Sequence, residues 1–365
     1  MGESLIGRMK DDLDTPALLV DLDALAANIA KIAGTCRQYG VGWRPHSKAH
    51  KTPQIARMQI DAGAIGITCA KLGEAEVMAE AGITDILIAN QVVGPAKIAR
   101  LVALLGSAKV SVAVDGAANV AALGEAAWAA GRTLPVLIEV DVGMRRAGVL
   151  PGKPVRELAG IVKAQRGLRL AGVMGWEAHA VRLADPAAKE RTVREAVAQL
   201  RASAEACRSE GQPPPIVSCG GTGTFPFCIM QPGVTEVQVG GGMFGDVLYR
   251  EQFHVAFPPA LTVLATVTSR PTPSRIILDA GKKALSSDGA SPEARGVTGV
   301  RTLALSAEHA TIELQADAAA PVVGDHIELA VGYSDTTVHL HEWILGVREG
   351  KVETAWRVAG RGRLS

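Results

Sequence analysis

Residues 64–90 read AIGITCAKLGEAEVMAEAGITDILIAN. Two short apolar runs, AIGITCA (64–70) and DILIAN (85–90), bracket KLGEAEVMAEAG (71–82), which reads as a helix. Strand, helix and second strand with short connections make a βαβ unit, and such units build parallel sheets. The same alternation extends in both directions. VGWRP (41–45) comes before it, after a helix-like stretch that ends at Gly40. VSVAVD (110–115), PVLIEVD (135–141), LRLAGVMGW (168–176), PIVSCG (215–220) and TEVQVG (235–240) come after it. Ala-rich amphipathic stretches such as AANVAALGEAAWAAG (117–131) fill the gaps. The last gap, GTGTFPFCIMQPGV (221–234), has room for a short helix at most. Eight such runs predict a (β/α)8 TIM barrel, a fold of ~250 residues, over a doubly wound open sheet.

Beyond Pro258 the texture changes. ALTVLATVTSRP (260–271), SRIILDAG (274–281), TLALSAEHATIELQ (302–315), DHIELAVGY (325–333) and HEWILGVREGKVETAWRVAGRG (341–362) read as strands parted by turn residues. The early run PALLVDL (16–22) precedes the barrel and is expected to pair with this region. The expected organisation is a barrel over 23–257 and a mostly-β domain from 1–22 and 258–365.

Composition narrows the partners. Among 365 residues, 38 Lys and Arg stand against 37 Asp and Glu, a net charge of +1. That balance argues against nucleic acid and a membrane surface. No apolar run is long enough to span a bilayer, and the first residues lack the apolar core of a signal peptide. Five scattered cysteines without a CxxC suggest reduced thiols, hence a cytoplasmic location.

The chemistry sits where a barrel places it, at the C-terminal ends of the strands. RPHSKAHK (44–51) follows the first barrel strand and carries Lys48. The loops after strands seven and eight, which such barrels use for phosphate, are SCGGTGTF (218–225) and GGGMFG (240–245). Glycines there let backbone N–H groups converge on an anion. A lysine at the mouth with a phosphate grip points to a Schiff base with a phosphorylated carbonyl compound. A sugar-phosphate aldolase and an enzyme of pyridoxal 5′-phosphate (PLP) both fit, and the added β domain favours PLP.

At these motifs the chain resembles the fold-type III PLP enzymes, with a barrel of alanine-racemase type. It is most similar to their D-threonine aldolase and D-serine dehydratase group. The likeness runs from LDTPALLVDLDAL (13–25) through RPHSKAHK, IEVDVGMRRAGV (138–149), SCGGTGTFPF and TEVQVGGGMFGD (235–246) to GYSDTTVHLHEW (332–343). The resemblance implies that Lys48 carries PLP covalently. It implies Arg146 against the cofactor, and Gly221, Thr222, Gly240 and Gly241 around its phosphate; Trp176 is expected to flank the cofactor, with simple packing its other reading, and Ser218 is taken with the phosphate loop it opens. It implies a homodimer and a small amino-acid substrate, with cleavage of a D-β-hydroxy-α-amino acid to glycine and an aldehyde. A dehydratase or racemase on the same cofactor is the alternative within enzymes. A non-catalytic PLP carrier is the alternative outside them, disfavoured by the β domain.

The family's divalent metal (Mn²⁺ or Mg²⁺) sits on a C-terminal His-x-Asp in aldolases and His-x-Cys in dehydratases, where it polarises the β-hydroxyl. Here Asp335 matches the aldolase aspartate, and Tyr333 stands in place of the histidine. Asp335 is therefore the candidate metal ligand, and Tyr333 a candidate acid or base. Read as an extended strand, Asp335 and His339 share a face but lie ~13 Å apart. His179, in GWEAHA after the sixth strand, is the candidate general base; a purely structural histidine is its other reading. His309, in LSAEH, is a further candidate from the β domain.

Overall fold

The first strand, β1 (Ala17–Asp21), is followed by eight short ones: β2 (Gly42–Trp43), β3 (Ile67–Cys69), β4 (Asp85–Gln91), β5 (Lys109–Val114), β6 (Leu134–Glu139), β7 (Leu168–Met174), β8 (Ile216–Cys219) and β9 (Glu236–Val237). The computed structural model describes residues 2–208, 215–315 and 321–365. They fall into two compact units. One holds Ile32–Lys48, Ile55–Gly240 and Arg363–Ser365; the other holds the chain up to Lys31, Ala49–Gln54 and Gly241–Gly362.

In the first unit β2 to β9 form one parallel sheet in the order β2-β9-β8-β7-β6-β5-β4-β3. A parallel bridge between His46 and Thr68 joins the two ends of that order. Ile65 N donates to Trp43 O and Thr68 N to Pro45 O, each at 2.8 Å, across the same seam. The sheet thus closes on itself. Both of its faces are covered, which is why its strands read as near-continuous apolar runs. Ile86, Leu87 and Ile88 of β4 are each at most 1 % exposed. Helices fill the connections as the sequence predicts, and the last is only Phe225–Cys228. Strand β2 is shorter than its sequence run because Pro45 has no N–H for the ladder.

In the second unit β10 (Leu261–Thr272), β11 (Arg275–Leu278), β12 (Glu293–Ala294), β13 (Val300–Leu305), β14 (Ala310–Leu314), β15 (His326–Ala330), β16 (Trp343–Arg348) and β17 (Lys351–Arg357) join β1. The order is β13-β14-β11-β10-β1-β16-β17, with β15 on β10 and β12 on β15. The early run pairs here as expected: β1 is antiparallel to β10 and parallel to β16. Leu13, Leu19, Leu264, Leu345 and Val352 form its core cluster. Between β15 and β16 the chain turns at Asp335: Ser334–Thr337 is a helical turn and Val338–Leu340 a 3-10 turn, so the extended spacing of Asp335 and His339 does not apply.

The barrel seam is tied by charge. Arg44 Nε donates to both carboxylate oxygens of Glu236, at 3.0 and 3.2 Å, and its Nη1 to Asp85 Oδ1 at 2.6 Å. Arg44 and Glu236 are buried. Gly66, from the opening stretch, makes room for the pair. Its φ is 154°, and a Cβ there would sit 2.3 Å from the Arg44 guanidinium. Burial alone would lower the Arg44 pKa, but Glu236 and Asp85 together raise it above the ordinary arginine value. Removing one partner of a buried pair leaves the other charge uncompensated. Arg44→Ala is therefore expected to cost about 3–5 kcal/mol in urea unfolding. A loss below about 1 kcal/mol, the scale of an exposed pair, would remove the seam role.

Candidate active site

Lys48 lies in a 3-10 turn, Ser47–Ala49, just past the seam. Its neighbour Ser47 is fully buried and donates its hydroxyl to Glu74 Oε1 at 2.6 Å. The other oxygen of Glu74 accepts from Ala70 N at 3.0 Å. Glu74 comes from the helix Leu72–Glu80 of the opening βαβ unit, so that unit fixes the backbone beside Lys48. The lysine itself is half-buried, with Nζ 5.4 Å from the centroid of the Trp176 ring. The Arg146 guanidinium lies 5.3 Å from the same ring.

Trp176 follows β7, and the loop after β8 meets it. A Cβ on Gly221 would come within 2.9 Å of Trp176 Nε1, so only glycine lets the loop backbone come this close. Thr222 is buried in that loop. Its far end is anchored by Thr224, whose hydroxyl donates to buried Glu177. Gly240, after β9, approaches the Lys48 segment: its Cβ would be 2.3 Å from His46 O. Ser218 belongs to the strand rather than the loop. Its hydroxyl donates to Glu236 at 2.8 Å and accepts from Gln238 Nε2 at 2.9 Å, which commits it to the barrel interior. His179 is exposed in the turn Ala178–Ala180, its ring over Gly143. The structure thus brings Lys48, Arg146, Trp176 and Gly221 together in one unit.

This donor set fits PLP. The Trp176 indole N–H is buried without a hydrogen-bond partner among the described residues, and it lies beside the glycine loop. A buried donor left unpaired costs about 1–3 kcal/mol, which a phosphorylated ring compound would recover. Beside Arg146, Glu139 accepts from Gln91 Nε2. Burial pushes the Glu139 carboxyl up, against the pull of Gln91 and Arg146.

The remaining expected residues lie in the other unit. A Cβ on Gly241 would collide with the Tyr249 hydroxyl at 2.1 Å. Tyr249 packs edge-on against Tyr333, with ring centroids 6.2 Å apart. The Tyr333 hydroxyl donates to Asp335 Oδ2 at 2.9 Å. Burial, then the Asp335 and Asp246 carboxylates, push the Tyr333 phenol far up, so it keeps its proton and is a donor rather than a base. Between them Ser334 donates both N and Oγ to buried Asp246 Oδ2, at 2.8 and 2.6 Å. A tyrosine hydroxyl in place of an imidazole, already hydrogen-bonded to the candidate carboxylate, does not fit a divalent metal. His339 and His309 are exposed, and His341 Nε2 pairs with Ala284 O at 2.6 Å.

Sequence reading did not single out Glu74, Glu139, Glu177, Asp246 or Tyr249. The one available signal was their place beside a hydroxyl-bearing loop.

Comparison with known proteins places the chain in a family. A family model described as alanine racemase, N-terminal domain, matches residues 20–247, and a serine dehydratase domain matches 260–347. D-threonine aldolase of Arthrobacter sp. is 36% identical over 96% of this chain and 93% of its own length. 3-Hydroxy-D-aspartate aldolase of Paracoccus denitrificans is 34% identical over 99% of this chain and 95% of its own. The crystal structure of D-threonine aldolase from Filomicrobium marinum superposes with a TM-score of 0.95 at 36% identity, covering 99% of this chain and 98% of that one.

Lys189 supports the His179 turn. Its buried ammonium donates to Val181 O at 3.0 Å, and burial pushes its pKa down from 10.5 to about 8. Between those values the unfolded chain binds the proton and the folded chain does not, so stability rises with pH through that window. Urea midpoints of wild type and Lys189→Met, compared at the two ends of the window, test this. Wild type should gain on the variant as pH rises, and a constant difference would refute the assignment.

Proposed function

The chain belongs to the alanine racemase N-terminal domain family, the barrel of the fold-type III PLP enzymes, and from that premise we propose that it is a PLP-dependent lyase. Its substrates are D-β-hydroxy-α-amino acids, D-threonine among them, which it splits to glycine and an aldehyde. The observation that carries this reading is the convergence of Lys48 and Arg146 on the Trp176 ring, whose unpaired indole N–H lies against the Gly221 loop.

Bound there, PLP supplies an electron sink for the pair left at Cα when the Cα–Cβ bond breaks. The chain's own residues do the rest. Lys48 Nζ is the covalent anchor. Gly221, Thr222 and Gly240 present backbone to the phosphate. Arg146 holds positive charge beside the ring and tunes its electronics. Trp176 would offer its ring and its indole N–H to the cofactor. His179, exposed beside Gly143, is the proposed acceptor of the β-hydroxyl proton.

No helix among the described residues is long and apolar enough to cross a membrane. None of the five cysteines is in a disulfide, and all are buried. These features support the reading of a cytoplasmic enzyme, which we propose acts as a homodimer. Its organisation is a barrel over 23–257 with a β domain from the flanking segments.

Purified protein incubated with D-threonine should release acetaldehyde and glycine in equal amounts and carry a visible absorbance from bound cofactor. Lys48→Ala should lose that absorbance and fall to background activity. A Lys48→Ala variant that keeps cofactor bound as wild type does would overturn the anchor. Release of a 2-oxo acid and ammonia instead would make the enzyme a dehydratase.

A further inference from the structure

We infer that in this chain the Tyr333–Asp335 hydrogen bond replaces a divalent-metal site, and that the protein works without the ion. Only the consequence for catalysis rests on the aldolase reading above; the claim itself concerns what the cluster binds.

Sites for Mg²⁺, Mn²⁺ and Zn²⁺ are built from imidazole nitrogen, thiolate, and carboxylate or carbonyl oxygen. Tyr333 brings a hydroxyl where such a site needs an imidazole, and that hydroxyl donates to Asp335 Oδ2, 2.9 Å away, so one of the two carboxylate oxygens is already taken. The pair is also held in place. The Tyr333 ring stands at 83° to that of Tyr249, edge to face. Ser334, between the two residues, is bound through N and Oγ to buried Asp246. This buried anchorage fixes the backbone between the two residues and so holds Tyr333 and Asp335 side by side.

Nearby histidines offer no replacement. His341 Nε2 is committed to Ala284 O, and His339 is exposed on the following turn. Among the described residues, the one group of three His, Cys, Asp or Glu side chains close enough to share an ion is Glu177, Cys219 and Cys228, in the other unit. The cluster therefore supplies a hydrogen-bonded donor and acceptor where the resemblance places a pair of ligands for one metal ion.

The test is direct metal binding by PLP-loaded protein, dialysed against chelator and titrated with Mn²⁺ by calorimetry and elemental analysis. Wild type should retain no Mn²⁺. Tyr333→His should take up roughly one Mn²⁺ per chain, because imidazole and carboxylate complete a ligand pair. Adding Asp335→Asn to that variant should abolish the uptake. Wild-type binding of one equivalent, lost in Asp335→Asn, would overturn the inference. So would a folded Tyr333→His protein, judged by its cofactor absorbance, that binds none. If that variant fails to fold, the wild-type titration decides alone. The aldolase reading fails separately, by the absence of acetaldehyde from D-threonine, and leaves the metal stoichiometry readable.

Discussion

A guanidinium buried between two carboxylates closes the barrel, and the reactive segment is placed from there. Arginine stays charged in any protein environment, so Arg44 cannot escape burial by losing its proton. It must be met by carboxylate, and Glu236 meets it with both oxygens while Asp85 takes the remaining edge. The three residues come from the segment after β2, from β9 and from β4, so one set of contacts pins the seam and both strands that approach it. Ser218 of β8 adds its hydroxyl to the same carboxylate. The chain leaves this knot at Pro45 and reaches Lys48 within three residues. A lysine so close to a rigid seam has little backbone freedom, and an anchor for a planar cofactor needs that restriction.

The charges beside that anchor have a consequence of their own. Lys48 and Arg146 both lie within 5.5 Å of one indole ring. Each gains from the ring's negative face, at about 0.5–1 kcal/mol for exposed sites. Two cations near one ring also repel. An anionic ligand would relieve that repulsion, and a side chain at Gly221 would collide with Trp176 beside it. The arrangement therefore favours an anionic, ring-shaped ligand over a neutral one, on charge and shape together.

Much of this was legible in the sequence, and for identifiable reasons. The barrel strands are buried on both faces, so Ile86–Ile88 and their counterparts appear as unbroken apolar runs. Lys48 and the two glycine loops were legible because strand order alone sets where a barrel's chemistry lies. Long-range pairing was not. Nothing local says that Arg44 will meet Glu236, 192 residues later. The turn at Ser334–Leu340 carried no clear local signal, because Thr336, Thr337 and Val338 are β-branched and suit a strand. The Ser334–Asp246 hydrogen bonds and buried Thr337 override that preference. Ser218 was read as part of the phosphate loop by adjacency, whereas the alternation of a strand turns its side chain inward.

One device recurs around the residues that matter most. Beside Lys48, Ser47 gives its hydroxyl to Glu74; beside Trp176, Glu177 receives that of Thr224; beside Tyr333, Ser334 gives its own to Asp246. Each carboxylate is at most 2 % exposed. In each case the buried hydroxyl–carboxylate bond holds the backbone one residue away from the functional side chain. That offset separates two tasks. A carboxylate hidden in a core keeps a strong hold on its donor, because leaving it unpaired costs about 1–3 kcal/mol or more. The functional side chain itself then does not have to secure its own loop. Lys48 and Trp176 can turn toward a ligand, and Tyr333 can keep its hydrogen bond to Asp335, while their neighbours carry the structural constraint.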